Sequence, residues 1–321
     1  MHRASTPGDR SPSGARSFRR AVALLAAPLI LAAAAGVWAA HDLDDTGQGS
    51  TEASTASAQQ DATAPALDPL DTSRVSPPVA SDDTPITAFG LDGSARIVRS
   101  APPAGVEAAD TPLGEPPVVA EHPSYAFMAT QDGSGEPVAF DPCRPVHYVV
   151  RPDGAPPGGE QLIAEAVEAV SAATGLQFIH DGPTEEQPVV DRNPYQPDTY
   201  GSRWAPVLFA WSDPVETPDL ADGVVGLGGS VPRSAEDGLT VLVSGHVILD
   251  GPELTEVART FGGPDEVRTT IIHELAHAVG LGHVDDPTQL MYPLAGDLTG
   301  FAAGDLAGLA RLGAGQCAPD L

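Results

Sequence analysis

Lysine is absent from this 321-residue chain: all 16 basic residues are arginine, against 44 acidic ones, and the formal net charge is −28. So few cations cannot form the basic surface that nucleic acid or an anionic lipid face requires, which excludes both as partners. Beside 34 glycines, 33 prolines and abundant alanine, the missing lysine reads as a coding bias rather than a functional choice. Aromatic residues make up only 5 % of the chain, and residues 41–118 hold few of them. That stretch is rich in Ala, Pro, Asp, Ser and Thr and cannot bury enough apolar surface to offset its ordering entropy. It reads as a disordered linker, with a pro-segment as the alternative. No internal repeat stands out, and no run of oxygen-bearing residues follows the order of an EF-hand loop.

What is present begins at the N-terminus. The first 20 residues carry five arginines and one aspartate and run straight into the apolar stretch 21–40. A basic segment followed by an apolar one is an export signal, and Val37, Ala39 and Ala40 offer a cleavage site. An uncleaved membrane anchor is the rival reading, since about twenty apolar residues can span a bilayer. Pro28 and the many alanines keep the segment only moderately hydrophobic. The Arg19-Arg20 pair sits in a poor context for a twin-arginine signal. Either way the rest of the chain is expected outside the cytoplasm. There the two cysteines, Cys143 and Cys317, read as a disulfide closing a long loop, with two buried free thiols as the alternative.

From about residue 119 the pattern changes to that of a folded domain, 119–321. VHYVVRP around His147–Arg151 reads as a strand, GGEQLIAEAVEAVSAATG as an amphipathic helix ended by Gly175, and LQFIHDG as a second strand. VLFAWSD (Val207–Asp213) and LTVLVSGHVILD (Leu239–Asp250) supply further strands, with the Gly-rich VVGLGGS lying between them. A long helix is predicted from Gly263-Pro264, with Asp265 and Glu266 complementing its dipole and Val267, Ile271, Leu275 and Ala278 as its apolar stripe. FAAGDLAGLARLGAG gives a last helix with Leu306, Leu309 and Leu312 facing inward.

The second long helix carries the chemistry. In HELAHAVGLGH, His273 and His277 are four apart and project from one face, where both can reach one metal. Glu274 sits beside that position, placed to handle a bound water rather than to coordinate the ion. Gly280 permits a turn that brings His283 back toward the pair. Three neutral imidazoles leave a fourth position open, the mark of a catalytic rather than a structural zinc site.

This pattern, followed eight residues after His283 by Met291 in PTQLMYPL, resembles the metzincin zinc endopeptidases and the matrixin family in particular. The resemblance implies an α+β fold: a zincin domain with a twisted, mostly parallel sheet, two long helices and a C-terminal helix. It further implies Met291 as a hydrophobic floor beneath the zinc, and Tyr292 with Pro293 as a wall of the substrate pocket. Proline at 293 stands where related branches carry a metal-contacting tyrosine, so Tyr292 is not expected to be a ligand. Val284 replaces the serine that animal matrixins carry after the third histidine. His122, His147, His180 and His246 are too scattered for a second zinc site, and Cys143, just before the first strand, is not placed as a latency cysteine.

The implied activity is hydrolysis of peptide bonds in a protein or peptide substrate, with one zinc and Glu274 as general base, in a monomer. Two alternatives stand beside it: a proteolytically inactive zinc-binding protein of the envelope, and a zinc hydrolase of cell-wall peptide amides. The family also raises calcium as a ligand. The carboxylates between strands, Asp213, Glu216, Asp219, Asp222 and Asp237, read more simply as a solvated acidic loop.

Overall fold

In the computed structural model, which describes residues 74–75, 86–89, 95–98, 100–294 and 296–321, short strands come first: β1 (Arg74–Val75), β2 (Ile86–Phe89), β3 (Ala95–Val98), β4 (Ala126–Phe127) and β5 (Ala139–Phe140). They are followed by β6 (Val146–Arg151), α1 (Gly159–Thr174), β7 (Phe178–Pro183), the single turn α2 (Pro197–Tyr200) and β8 (Val207–Ser212). Then come β9 (Gly226–Ser234), β10 (Thr240–Asp250), α3 (Gly251–Ala258), α4 (Gly263–Ala278), β11 (Leu281–Gly282) and α5 (Ala303–Gly313). The export or anchor segment proposed at 1–40 lies outside the described residues. Among those described, no helix is long and apolar enough to cross a membrane.

The main sheet runs in the order β1-β9-β10-β8-β6-β7, with β5 also on β10. All its pairs are parallel except β9 with β10. Central strand β8 (VLFAWS) is an almost continuous apolar run because both its faces are covered. Val207, Phe209 and Trp211 of β8 join the main core with α1 and α4, while Leu208 and Ala210 face the other way into a smaller cluster. On α1, Leu162, Ile163, Ala166, Val167, Val170 and Ala173 form the buried stripe, and Gly175 at φ 76° ends the helix. Leu309 and Leu312 of α5 are buried, and Leu306 packs half-buried against the same core.

Two sequence expectations need correction. VVGLGGS, placed only as lying between two strands, supplies a strand of its own: its residues from Gly226 onward form β9, hydrogen-bonded along its length to β10. Residues 100–118, assigned by composition to the linker, lie against the domain. Ala109 N–H donates to Cys143 O at 2.8 Å, Leu113 N–H to Pro142 O at 2.9 Å, and Arg144 Nε to Val106 O at 3.0 Å. Hydrogen bonds and the ion pairs of Glu107 with His147 and Arg203, rather than apolar burial, fasten this segment, and the folded part extends N-terminal of the expected boundary at 118.

Cys143 and Cys317 are joined as a disulfide, with Cα atoms 5.4 Å apart and a sequence separation of 174. Closing so long a loop stabilises by about 5 kcal/mol in the chain-entropy picture. Reduction is therefore expected to lower Tm by roughly 10–20 °C. Calorimetry with and without reductant checks this, and an unchanged transition would remove the disulfide from the account.

Candidate metal centre

Helix α4 starts behind Gly262, whose φ of 82° turns the chain into Pro264, and acidic Asp265 and Glu266 occupy its first turn. Val267, Ile271, Leu275 and Ala278 are fully buried and fix the helix against the sheet. Its other edge carries His273 and His277. Strand β9 lies directly over this part of the helix, and two glycines allow it to. A Cβ on Gly228 would lie 2.0 Å from the backbone oxygen of Glu274, and one on Gly226 2.6 Å from Glu274 Cγ. Glycine inside a strand marks such a close approach, which is the signal the sequence carried at 226 and 228.

The chain leaves the helix at Gly280, with φ 109°. Its carbonyl accepts Met128 N–H at 2.9 Å, and β11 then pairs antiparallel with β4. That short ribbon delivers His283 to the other two histidines. The three Nε2 atoms form a triangle: 3.1 Å from His273 to His283, 3.1 Å from His273 to His277, and 3.0 Å from His277 to His283.

Carbonyl oxygens set the tautomers. His273 Nδ1 lies 2.9 Å from Leu290 O and His277 Nδ1 2.7 Å from Leu281 O. A carbonyl only accepts, so each Nδ1 carries the proton and each Nε2 presents a lone pair to the triangle. Burial, reinforced by the neighbouring imidazoles, lowers His277 well below its ordinary value. His273 is brought down to about 4, by burial first and then by His283. Both rings are thus neutral donors at neutral pH. Sides near 3 Å suit nitrogens that share an ion at about 2.0–2.1 Å, and without a cation the facing lone pairs of His273 and His277 repel.

Glu274 is buried beside them, and its Oε2 has no hydrogen-bond partner. Burial raises its carboxyl to about 8, opposed in part by a hydrogen bond from Gly228 N–H. In the metal-free chain this raised value favours the protonated fold. The stabilising contribution is complete below the ordinary carboxyl range near 4.5 and is lost as pH rises through about 8. Glu274→Gln should therefore match the wild type in thermal stability near pH 4 and exceed it above pH 8. At about 1.4 kcal/mol per pKa unit the gain reaches several kcal/mol. Thermal melts of the two chelated chains across pH test this; a pH-independent difference would contradict it.

After His283 the chain makes the turn that holds Met291. Met291 is buried in the main core, and its carbonyl accepts Val284 N–H at 3.0 Å. Tyr292 is half-buried and Pro293 exposed, directly after the turn. From α5, Asp305 accepts the N–H groups of Leu290 and Met291 at 2.7 and 3.2 Å. Sequence reasoning missed Asp305 and the carbonyls of Leu281 and Leu290.

The other candidates stay apart. Asp213 binds the Val215 and Glu216 N–H groups, Glu216 pairs with Arg151 at 2.7 Å, and Asp237 caps Leu239 N–H. These carboxylates serve turns and an ion pair and do not converge on one point. His180 stacks on Tyr148, while His147 Nδ1 meets Asp181. Among the described residues only one other group has metal-ligand spacing, Asp141 with Cys143 and Cys317, and its sulfurs are spent in the disulfide. A separate pocket lined by Val106, His147, Arg203, Trp204 and Val243 includes none of the three clustered histidines.

No protein-family model and no curated protein matches the chain. Among solved structures, it is similar over part of its length to one described as "GM1 bound form of the ECX AB5 holotoxin". That likeness has 13 % identity and a TM-score of 0.25, and covers 43 % of this chain and 52 % of that one. Similarity that low carries no argument about fold or function.

Proposed function

We propose that the chain is a zinc-dependent endopeptidase of the metzincin class, matrixin-like, acting outside the cytoplasm either as a secreted protein or held by residues 21–40. One observation carries the reading. The Nε2 atoms of three histidines lie within 3.0–3.1 Å of one another, and Glu274, next in sequence to His273, holds a buried Oε2 without a partner. Three neutral imidazoles that leave a coordination position open are the donor set of a catalytic zinc, so the residues present fit the ion.

His273, His277 and His283 would hold it. Bound there, zinc supplies Lewis acidity toward the scissile carbonyl and makes a water acidic enough to lose a proton near neutral pH. Glu274 would take a proton from the attacking water on Oε2 and return it to the nitrogen of the departing amine. Gly228 N–H steadies the carboxylate during both transfers. Leu290 O and Leu281 O keep the His273 and His277 rings in orientation, as partners of ligand Nδ1–H groups do in zinc sites. Met291 serves as the buried floor, and Tyr292 with Pro293 as one wall for the substrate side chain.

Casein or gelatin hydrolysis that a chelator abolishes and added zinc restores is the expected behaviour. A chain that binds zinc and cleaves neither protein nor peptide would instead fit a zinc-binding role without proteolysis.

A further inference from the structure

We infer that Asp305 is a positioning residue for the metal-binding histidines, acting through a single peptide group. The inference rests on the zinc reading above. Asp305 lies in the first turn of α5, only 1 % exposed, and both its oxygens are committed. Oδ2 accepts Leu290 N–H at 2.7 Å and Ala302 N–H at 2.8 Å, and Oδ1 accepts Met291 N–H at 3.2 Å. Capping α5 requires only the Ala302 contact, the capping-box bond that a neutral Gln at this position could supply. The other two contacts go to the turn after the third histidine.

The Met291 contact reaches the site through one peptide group. Met291 N–H and Leu290 C=O are the two ends of one planar peptide group, which in the trans form points them in opposite directions. Asp305 holds the N–H end, and the C=O end accepts His273 Nδ1–H at 2.9 Å. The carboxylate, the peptide group and the imidazole thus form a chain of hydrogen bonds, in which charge at one end polarises the peptide and strengthens the bond at the other. This extends by one peptide the carboxylate–histidine–metal arrangement that orients ligands and raises their basicity. Met291 O also accepts Val284 N–H at 3.0 Å, next to His283, so the same clamp bears on a second histidine. Gln289 fastens the turn to α5 once more through Gly304 N–H at 2.7 Å.

The test uses the full chain and three variants. Asp305→Asn keeps the shape and removes the charge. Asp305→Glu keeps the charge on a longer arm and stands in should the first fail to fold. Asp250→Ala removes the cap that Glu253 N–H finds at the start of α3, and so matches the loss of a helix cap away from the histidines. Zinc affinity by chelator competition is expected to fall 10- to 100-fold in the Asp305 variants, as for other partners of metal ligands. In Asp250→Ala it should stay unchanged while Tm falls. Amide exchange at Leu290 and Met291 in the metal-free chain should accelerate in the Asp305 variants alone. Zinc affinity within twofold of wild type would reduce Asp305 to a helix cap and overturn the inference. If the wild type binds no zinc, the zinc reading fails by itself, and the exchange rates decide the clamp: rates equal to wild type overturn it, faster rates uphold it.

Discussion

Replacing Glu274 with glutamine is expected to lower peptide hydrolysis by about a thousandfold, within the range that a positioned general acid–base supplies, and to leave one zinc bound. Glutamine has the shape of the carboxylate and can still accept the Gly228 N–H bond, so strand β9 and helix α4 need not move. What disappears is a group able to take a proton at the Oε2 position, where the native atom is buried without a partner. The histidines are untouched, because their orientation comes from Leu290 O and Leu281 O and not from Glu274. Steady-state kinetics on a quenched peptide should place the loss in kcat, with zinc content by mass spectrometry unaltered. Retention of more than roughly a tenth of the activity would remove Glu274 from the proton transfers.

The second large effect is structural. Gly228→Ala would place a methyl group 2.0 Å from the backbone oxygen of Glu274, an atom of a buried helix that has no rotamer with which to yield. The strand must lift from the helix or the helix must shift, at a cost of about 3 kcal/mol or more. Because the displaced helix carries His273, Glu274 and His277, zinc affinity and hydrolysis should fall with stability. Gly133→Ala is the comparison: φ is 77° there and no atom lies within 4 Å of the added carbon. Only backbone strain of about 1–2 kcal/mol follows, with the metal site unaffected. Urea unfolding of the two variants measures the difference, and equal losses would mean that the strand does not rest on the helix as described.

These two residues also show what the sequence could convey. Glu274 was legible because its neighbours at 273, 277 and 283 follow the geometry of a helix and one glycine turn, which are local rules. The same locality exposed α1, α4 from Gly263, and the strands at 146–151, 207–212 and 240–250. Gly228 was not legible as a strand residue, since glycine has low strand propensity and the reason for it, the backbone of α4, is more than forty residues away. Asp305 was hidden for a related cause. A carboxylate at the start of a helix reads as a cap, and nothing local says that its other hydrogen bonds reach a turn preceding it. Segment 100–118 escaped because its partners, the carbonyls of Pro142 and Cys143 and the side chains of Arg144, His147 and Arg203, lie 25 or more residues further along the chain.

In the proposed reading the three histidines and Glu274 form one hydrolytic zinc site. It is tested most directly by stripping the full chain with chelator and following hydrolysis of a peptide library as zinc is returned in measured equivalents. Activity should rise linearly, stop rising at one zinc per chain, and stay about a thousandfold lower throughout for Glu274→Gln. Hydrolysis that is independent of zinc, or equal in the Glu274→Gln chain, would contradict it.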